Sequence, residues 1–316
     1  MHTLNVAVLS GRHRSVKAAL RAYVRHWELS LLLLPVIAFF IVFRYVPMYG
    51  IVIAFKNFNV MKGILGSDWI GFENFDWLLS TPSFWQVLRN TILISFYRIV
   101  AGFPAPIILA LLLDQVRRPA FKRVSQTVSY LPHFLSWVVL AGLFKQFLSP
   151  TMGPLGALLG TLGIKAPFFL GDPAWFPFAL VVTGIWKEVG WGTIIYLAHI
   201  ASIDPELYSA ASVDGAGRLR MARHITLPSL APVISILLIL RLGDLLDAGF
   251  DQIFNLYNEA VYRTGDILDT YVYRQGLVEF RYSFATAAGL FKNVIGFALV
   301  VGANRIVKLL GQTPIW

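Results

Sequence analysis

Charged side chains occur within long apolar stretches of this sequence, and several of them lie beside aromatic residues. A charge inside a membrane-spanning helix is costly, so such residues usually face the interior of a helix bundle or a water-filled cavity. These positions therefore predict a polar path between helices. The candidate path residues are Arg98, Trp186, Lys187, Glu188, Trp191, Tyr196, Arg241, Asp244, Phe291, Lys292 and Asn293.

Each candidate also has an ordinary structural explanation. Arg241 and Asp244 are three positions apart on one helical face, where they can neutralise each other. Lys187 and Glu188 are adjacent and do not face each other along one helix, although another helix can pair them. Trp and Tyr residues near the ends of spans often anchor a chain at the membrane surface. From the residues alone, both explanations stay open.

The common sequence patterns of catalysis are missing. No Gly-Lys dipeptide occurs, so the chain has no phosphate-binding G-x-x-x-x-G-K-[ST] loop. No histidine begins an H-E-x-x-H zinc motif, and no serine lies in a G-x-S-x-G motif. The lack of cysteine excludes disulfides, thiolate metal sites and cysteine nucleophiles. We therefore expect a chain that is not an enzyme and that binds no cofactor or metal itself.

Six apolar stretches must position the path residues. Of the 316 residues, 57% are apolar and only 14% are charged, whereas a soluble domain is about half apolar and about a quarter charged. Each stretch can cross a hydrocarbon core of about 30 Å as a helix, and the alternating segments of a spanning β-barrel are absent. The predicted fold is an all-α integral membrane protein with six transmembrane helices within residues 28–316. The stretches are Leu29–Ala54, Leu88–Leu113, Ser129–Leu148, Phe176–Ala201, Leu230–Leu246 and Phe284–Leu310.

The basic residues predict the orientation of these helices. The net charge is +10, and Lys and Arg concentrate in residues 1–27, in 114–123 and in 218–223, whereas 247–282 holds six acids against three arginines. Because excess basic residues mark cytoplasmic loops, both termini are predicted to be cytoplasmic, and nucleic acid is not an expected partner. The basic segment 1–27 is either a solvated tail or a helix lying on anionic lipid. The stretch after it is predicted to be a retained anchor.

The cytoplasmic connection 203–228 has its own local structure. Asp204 can cap a helix whose first turn contains Pro205 and Glu206. Gly215 and Gly217 then permit a sharp turn. These residues predict a short helix held on the cytoplasmic face between two spans. An ordinary basic loop whose helix lies on the lipid surface is the alternative.

The same connection resembles the signature loop of the permease subunits of binding-protein-dependent ABC importers. That signature reads E-A-A-x-x-D-G-A, with a Leu-Pro pair about ten residues later; here Ser209–Ala216 reads S-A-A-S-V-D-G-A, and Leu227–Pro228 follows. Residues Gly71–Phe75, which read G-F-E-N-F, and Arg89–Thr91 are similar to the sugar-importer branch. The chain is most similar to the oligosaccharide and polysaccharide subgroup, which includes the alginate importer.

The resemblance implies a type I ABC importer permease and a set of partners. These are a second, usually non-identical permease, two subunits that bind ATP and Mg²⁺, and an extracytoplasmic solute-binding protein. The predicted coupling residues, which contact the ATP-binding subunits, are Pro205, Glu206, Leu207, Tyr208, Ser209, Ala210, Ala211, Asp214, Gly215 and Ala216. Ser209 replaces the glutamate of the signature, and Glu206, one turn earlier, is the predicted substitute.

The resemblance also implies that a sugar, most simply an oligosaccharide or polysaccharide, crosses the bacterial inner membrane through this multi-pass chain. Aromatic faces beside hydrogen-bonding side chains suit sugar rings. An acidic polysaccharide would make Arg98, Lys187, Arg241 and Lys292 partners of its carboxylates. Two alternatives are an ion-gradient-driven secondary transporter and an ABC permease for another solute, such as a peptide.

Overall fold

A computed structural model describes residues 27–309, whose regular structure is almost entirely helical. Residues 1–26 of the predicted basic segment 1–27, and Leu310, the last predicted residue of span six, lie outside the described residues. The chain divides into two units at Val52 and Ile53. The described part of the first unit is a run of helix composed of Trp27–Phe40, Ile41–Tyr45, Val46–Met48 and the start of Tyr49–Phe55.

Five runs of helix are long and apolar enough to cross a membrane, and a sixth counts if one bent pair of helices forms a single span. The prediction of a helical membrane protein is therefore confirmed, with five or six spans. We number the spans in chain order. Span one is Leu31–Phe55, span two Pro82–Asp114, span four Phe176–Ile200, span five Arg218–Gly243 and span six Tyr282–Gly302, within the helix Tyr282–Leu309.

Span three differs from the continuous helix predicted at 129–148. It consists of a helix Pro119–Tyr130 with a 3₁₀ turn Leu131–Phe134, and a second helix Trp137–Phe147 bent from the first by 105°. The proline at position 132 has no N–H to continue the first helix. Ser136 caps the start of the second helix, because its side chain accepts a hydrogen bond from the backbone N–H of Val139 at 3.4 Å. Hydropathy does not register such a break, because the apolar stretch at 129–148 runs from the end of the first helix through the whole of the second.

Span five begins earlier than the apolar stretch that predicted it. The basic helix Arg218–Met221 continues through a π-helical turn, Ala222–Thr226, into the apolar helix Leu227–Gly243. The turn has a local cause, because Pro228 lacks the N–H that would bond one turn back. Similar turns precede prolines in spans one and two, where Ile41–Tyr45 lies before Pro47 and Arg98–Gly102 lies before Pro104.

Shorter elements connect the spans. Within the described residues, the only strands are Lys56–Asn57 and Asp68–Trp69, which pair antiparallel. The short helices are Gly63–Gly66, Glu73–Ser80, Pro154–Thr161, Pro205–Val213, Phe250–Leu256, Glu259–Val261, Tyr262–Gly265 and Leu268–Tyr273, with a last π turn at Arg274–Val278.

Span four is the central helix of the second unit. Its first half packs with Trp137–Phe147 and Phe250–Leu256 around the buried side chains of Phe176, Leu180 and Ile253. Its second half packs with spans two and five, where Tyr196, Ala110 and Leu230 are buried together. Small residues let helix backbones approach closely in membranes. At Gly190 a Cβ would overlap the carbonyl oxygen of Ser129, so glycine is required for span three to pack here.

Candidate functional site

A cavity of about 580 Å³ lies where spans two, four and five meet the helices Trp137–Phe147 and Phe250–Leu256. Its polar and aromatic lining consists of Ser95, Arg98, Trp137, Glu188, Trp191, Arg241, Asp244, Phe250, Asp247, Asp251 and Gln252. Of the predicted path residues, five line this cavity: Arg98, Glu188, Trp191, Arg241 and Asp244. The structure therefore brings about half of the predicted set together.

Arg98 is held by a residue that the sequence did not single out. One guanidinium nitrogen donates a hydrogen bond to Oε1 of Gln252. The Gln252 amide in turn donates to the carbonyl oxygen of Leu180 and to Oγ1 of Thr183, both at 2.8 Å. Gly249, with φ of +86°, lies directly against the guanidinium, where a Cβ would clash. Arg98 is thus fastened to the connection between spans five and six, and its Nε has no hydrogen-bond partner among the described residues.

Glu188 and Trp191 are organised by His133, a second residue that sequence reasoning missed. The imidazole Nδ1 lies 2.8 Å from Oε2 of Glu188, and the ring stacks on Trp191 with centroids 4.4 Å apart. Lys187 donates to the carbonyl oxygen of His133 at 2.6 Å and lies 3.4 Å from Oε1 of Glu188. The only signal in the sequence was a histidine beside Pro132 in an apolar stretch.

The adjacent pair Lys187 and Glu188 therefore does interact, through the break in span three. The Lys187 side chain is buried, and its ammonium is partnered by a carbonyl and a carboxylate. Its nitrogen also lies 5.8 Å from the centroid of the Trp137 ring, within cation–π range. Lys187 supports the cavity wall without lining it.

Arg241 and Asp244 line the cavity without neutralising each other. No ion pair within 4 Å joins these two residues. Among the four cations considered as carboxylate partners, Arg98, Lys187 and Lys292 have hydrogen-bond partners within the described residues, and Arg241 does not. Of these four cations, Arg241 is therefore the one without a hydrogen-bond partner in the described part of the chain.

The carboxylates of the cavity outnumber its cations. Glu188 is paired with His133 and Lys187, and Asp247 accepts a hydrogen bond from the backbone N–H of Gly249 at 3.2 Å. The remaining acids, Asp244 and Asp251, face the same space. Such a wall offers acceptors to the hydroxyl groups of a polar solute.

The other six predicted path residues lie outside this cavity. Lys292 and Asn293 line a separate cavity of about 290 Å³ with Asp244. Lys292 pairs with Asp269 at 2.5 Å. Burial raises the pKa of the Asp269 carboxyl above its ordinary value, while the hydrogen bond and charge of Lys292 act in the opposite direction.

The three remaining aromatic candidates have packing roles. Tyr196 is buried among core side chains. Phe291 meets Phe84 edge-on at 5.3 Å, and Trp186 meets Phe144 in the same way at 5.5 Å, with 47% of its surface exposed. Their aromatic type alone could not separate these positions from Trp191.

The helix predicted in the connection between spans four and five is Pro205–Val213. The Asp204 side chain caps it by accepting from the backbone N–H of Glu206 at 2.9 Å. Ser209 donates to the carbonyl oxygen of Pro205 at 3.1 Å, within the same helix. Tyr208 fixes the helix to span five, because its hydroxyl lies 2.9 Å from Oγ1 of the buried Thr226.

The C-terminus of this helix has a defined turn. Gly215 adopts the left-handed conformation with φ of +72°. The N–H of Ala216 donates to the carbonyl of Ala211 at 2.9 Å, and that of Gly215 donates to Ser212 at 3.1 Å. This pair of bonds is the Schellman motif, which satisfies carbonyls at a helix end. The helix is therefore closed at both ends, and Val213 stays 88% exposed.

The helical fold and the capped loop helix agree with a comparison of the sequence with known protein families. The family of binding-protein-dependent transport system inner membrane components matches residues 102–312. Because this match covers more than half of the chain, the chain belongs to that family. The resemblance seen in the loop at 203–228 is confirmed.

Individual relatives cover nearly the whole chain. The chain is 43% identical over 303 residues to protein LplB of Bacillus subtilis (strain 168), with 96% of this chain and 94% of that protein covered. It is also 43% identical over 300 residues to YteP of the same organism, a polygalacturonan/rhamnogalacturonan transport system permease protein, with 95% and 94% covered.

A solved structure is similar at the level of the fold. A chain of a bacterial alginate ABC transporter, in complex with an alginate pentasaccharide-bound periplasmic protein, matches with a TM-score of 0.86 and 40% identity. The match covers 93% of this chain and 99% of that chain. The helical arrangement described above is therefore that of an ABC transporter permease.

Proposed function

We propose that this chain is a permease subunit of an ATP-driven importer for oligosaccharides or polysaccharides delivered by an extracytoplasmic binding protein. The observation that carries the proposal is the combination, in one chain, of the family's capped loop helix with a polar cavity between spans two, four and five. The names of the relatives support a carbohydrate, since they include carriers of polygalacturonan and alginate.

The orientation follows from the charges. The two connections that are rich in basic residues meet at one end of the molecule, where Asp114, Lys122 and Tyr208 line a common cavity of about 570 Å³. At the other end of span two, Asn90 bonds to the acidic connection between spans five and six through the carbonyl of Asp266. With the basic end inside, both termini are cytoplasmic.

The loop helix Pro205–Val213 would meet the ATP-binding subunits. Two such subunits, which bind ATP and Mg²⁺, supply the energy, because this chain carries no phosphate-binding loop. Leu207 and Val213 expose more than half of their side-chain surface on this helix and are available for contact. Since Tyr208 is bonded to span five, movement of the helix is transmitted to the span that carries Arg241.

A second permease, most simply a non-identical one, would complete the path. Residues 31–49 of span one expose their side chains throughout. Lipid surrounds the remaining outer surface of the chain.

The solute is proposed to carry carboxylates. Polygalacturonan and alginate, named for two of the relatives, are acidic polysaccharides. Arg241 supplies the free cation, Trp191 a flat apolar face for a sugar ring, and the cavity acids accept hydroxyl hydrogen bonds. An ion-gradient-driven transporter and a peptide permease are not favoured by this family and these relatives.

The proposal is tested by uptake into proteoliposomes that contain the chain with its partner permease and ATP-binding subunits. Oligogalacturonate and alginate oligomers, presented with the binding protein, should enter only when MgATP is present on the side of the loop helix. Uptake driven by a proton or sodium gradient without ATP would contradict the proposal. Uptake of peptides in preference to the oligosaccharides would contradict the assigned solute class.

A further inference from the structure

A larger hollow lies beside span two and shares only Val181 with the lining of the cavity described above. It has a volume of about 1280 Å³ and runs between spans two and four under the connection at Arg263 and Thr264. Residues of span two line it from Trp85 to Ala101. We call this hollow the outer groove.

The outer groove faces away from the candidate path. Along span two, Ser95 and Ile99 line the path cavity, whereas Leu93 and Tyr97 line the groove. At 3.6 residues per turn these two sets lie about half a turn apart. If the path faces the partner permease, the groove faces the hydrocarbon.

The groove is polar at one end and apolar at the other. Near the start of span two its lining includes Gln86, Arg89 and Asn90, while further along it consists of residues such as Leu93 and Val100. A binding site for a lipid has the same two parts, a polar end for the headgroup and an apolar channel for the acyl chains. A helix of a partner subunit would instead need apolar contacts along the whole length.

The polar end is built by hydrogen bonds between distant parts of the chain. The side-chain amides of Gln86 and Asn90 both donate to the carbonyl oxygen of Arg263 at 3.1 Å. Thr264 donates to the carbonyl oxygen of Pro173 at 2.7 Å, which fixes the same connection to the start of span four. These bonds hold the backbone of Arg263 in the lining of the groove, to which Arg89 also contributes.

The charges of this end are unbalanced. Arg89 and Arg263 are both exposed, and neither forms an ion pair within 4 Å in the part of the chain that the structure describes. Asp172 is the acid in the lining, and its carboxylate accepts the backbone N–H of Ala174 at 2.9 Å. Two free guanidinium groups against one engaged carboxylate favour an anion.

The length of the groove fits one leaflet. The 16 residue steps from Trp85 to Ala101 correspond to about 24 Å of helix. Half of a bilayer, including its headgroups, measures about 21 Å. Trp85, half exposed at the polar end, is the residue type that marks the membrane–water boundary.

We propose that the outer groove binds a phospholipid with an anionic headgroup, whose phosphate meets Arg89 and Arg263 and whose acyl chains follow Leu93 to Ala101. The lipid belongs to the leaflet opposite the loop helix, because Asp172 precedes the start of span four and Pro205 follows its end. Basic pockets between transmembrane helices recognise such headgroups elsewhere.

This proposal is tested by native mass spectrometry of the assembled transporter. The transporter is equilibrated with phosphatidylglycerol and phosphatidylcholine, and the lipid that stays bound is identified. The double variant R89Q/R263Q should lose phosphatidylglycerol preference by about 30-fold, since each arginine near an anionic headgroup contributes about 1 kcal/mol. The matched control is Lys165→Gln, which removes an exposed charge that does not line the groove. That variant should retain the preference.

The conservative variant R89K/R263K keeps both charges and should retain most of the preference for phosphatidylglycerol. This result would show that the loss in R89Q/R263Q comes from the missing charge and not from a defect of assembly. Unchanged phosphatidylglycerol retention in R89Q/R263Q would overturn the proposal. Leu93→Trp fills the apolar part of the groove and should expel the lipid while the second permease stays bound. Loss of the second permease with unchanged lipid retention would assign the groove to a subunit interface instead.

Discussion

The imidazole of His133 lies flat against the indole of Trp191, with ring centroids 4.4 Å apart and planes within 1° of parallel. The same imidazole lies 2.8 Å from the Glu188 carboxylate. His133 belongs to the turn that breaks span three, and the other two residues belong to span four. The break in span three therefore fixes one wall of the cavity.

We predict that Trp191→Ala lowers oligosaccharide uptake by about tenfold or more. The substitution removes the aromatic face against which a sugar ring would pack. Burial of one large apolar side chain contributes about 1.5–3 kcal/mol of free energy. Trp186→Ala is a matched control, because Trp186 lies on the same span with a similar exposed fraction, 47% against 44%, and does not line the cavity. Uptake assays should show less than a twofold change for Trp186→Ala. Equal losses in both variants would indicate a general defect of span four.

Removing the free cation of the cavity should discriminate between solutes. Arg241→Gln is expected to lower the uptake of oligogalacturonate by about tenfold to a hundredfold, because a hydrogen bond to a charged group is worth about 1.5–3 kcal/mol. Arg241→Lys should retain much of the activity. The methyl-esterified oligosaccharide, which has the same size and no carboxylate charge, should be insensitive to either substitution. An equal loss for both solutes would argue against a carboxylate contact at Arg241.

Hydropathy and charge predicted the elements that are determined by residues close together in the sequence. Spans two, four and six appear near their predicted positions, and the helix Pro205–Val213 begins and ends where Asp204 and Gly215 indicated. These features follow from local rules of burial, capping and backbone freedom. The coupling role of that helix stays a prediction.

The wall of the cavity depends on pairs that are far apart in the sequence. Arg98 and Gln252 are separated by 154 positions, and His133 and Glu188 by 55. The periodicity of apolar residues does not predict contacts between residues so far apart. Trp186 and Trp191 look equivalent in the sequence. Both contact the broken span three, but only Trp191 stacks on His133 and lines the cavity. In the sequence, Pro132 was the only indication of the 105° bend.

Close packing between spans three and four makes Gly190 sensitive to substitution. Gly190→Ala should destabilise the purified transporter, because the added methyl group overlaps the backbone carbonyl of Ser129 and overpacking costs about 1–3 kcal/mol. Gly142→Ala is the control, since a Cβ there meets nothing within 4 Å. Thermal unfolding should show a lower midpoint for Gly190→Ala alone. Equal midpoints would mean that span three can shift away from span four at little cost.

Gly215 ends the loop helix in the left-handed region, which costs other residues about 1–2 kcal/mol. We predict that Gly215→Asp abolishes uptake and the solute-stimulated ATPase activity of the assembled transporter while membrane insertion stays intact. The substitution strains the turn and adds a charge, although a Cβ at this position meets no other described atom within 4 Å. Gly217→Asp is the matched control, because Gly217 has φ of −71° and caps the helix Arg218–Met221, a position that favours Asp. Gly215→Ala should give an intermediate loss, since it strains the backbone without adding a charge. Normal uptake and ATPase stimulation in Gly215→Asp would exclude this helix from energy coupling.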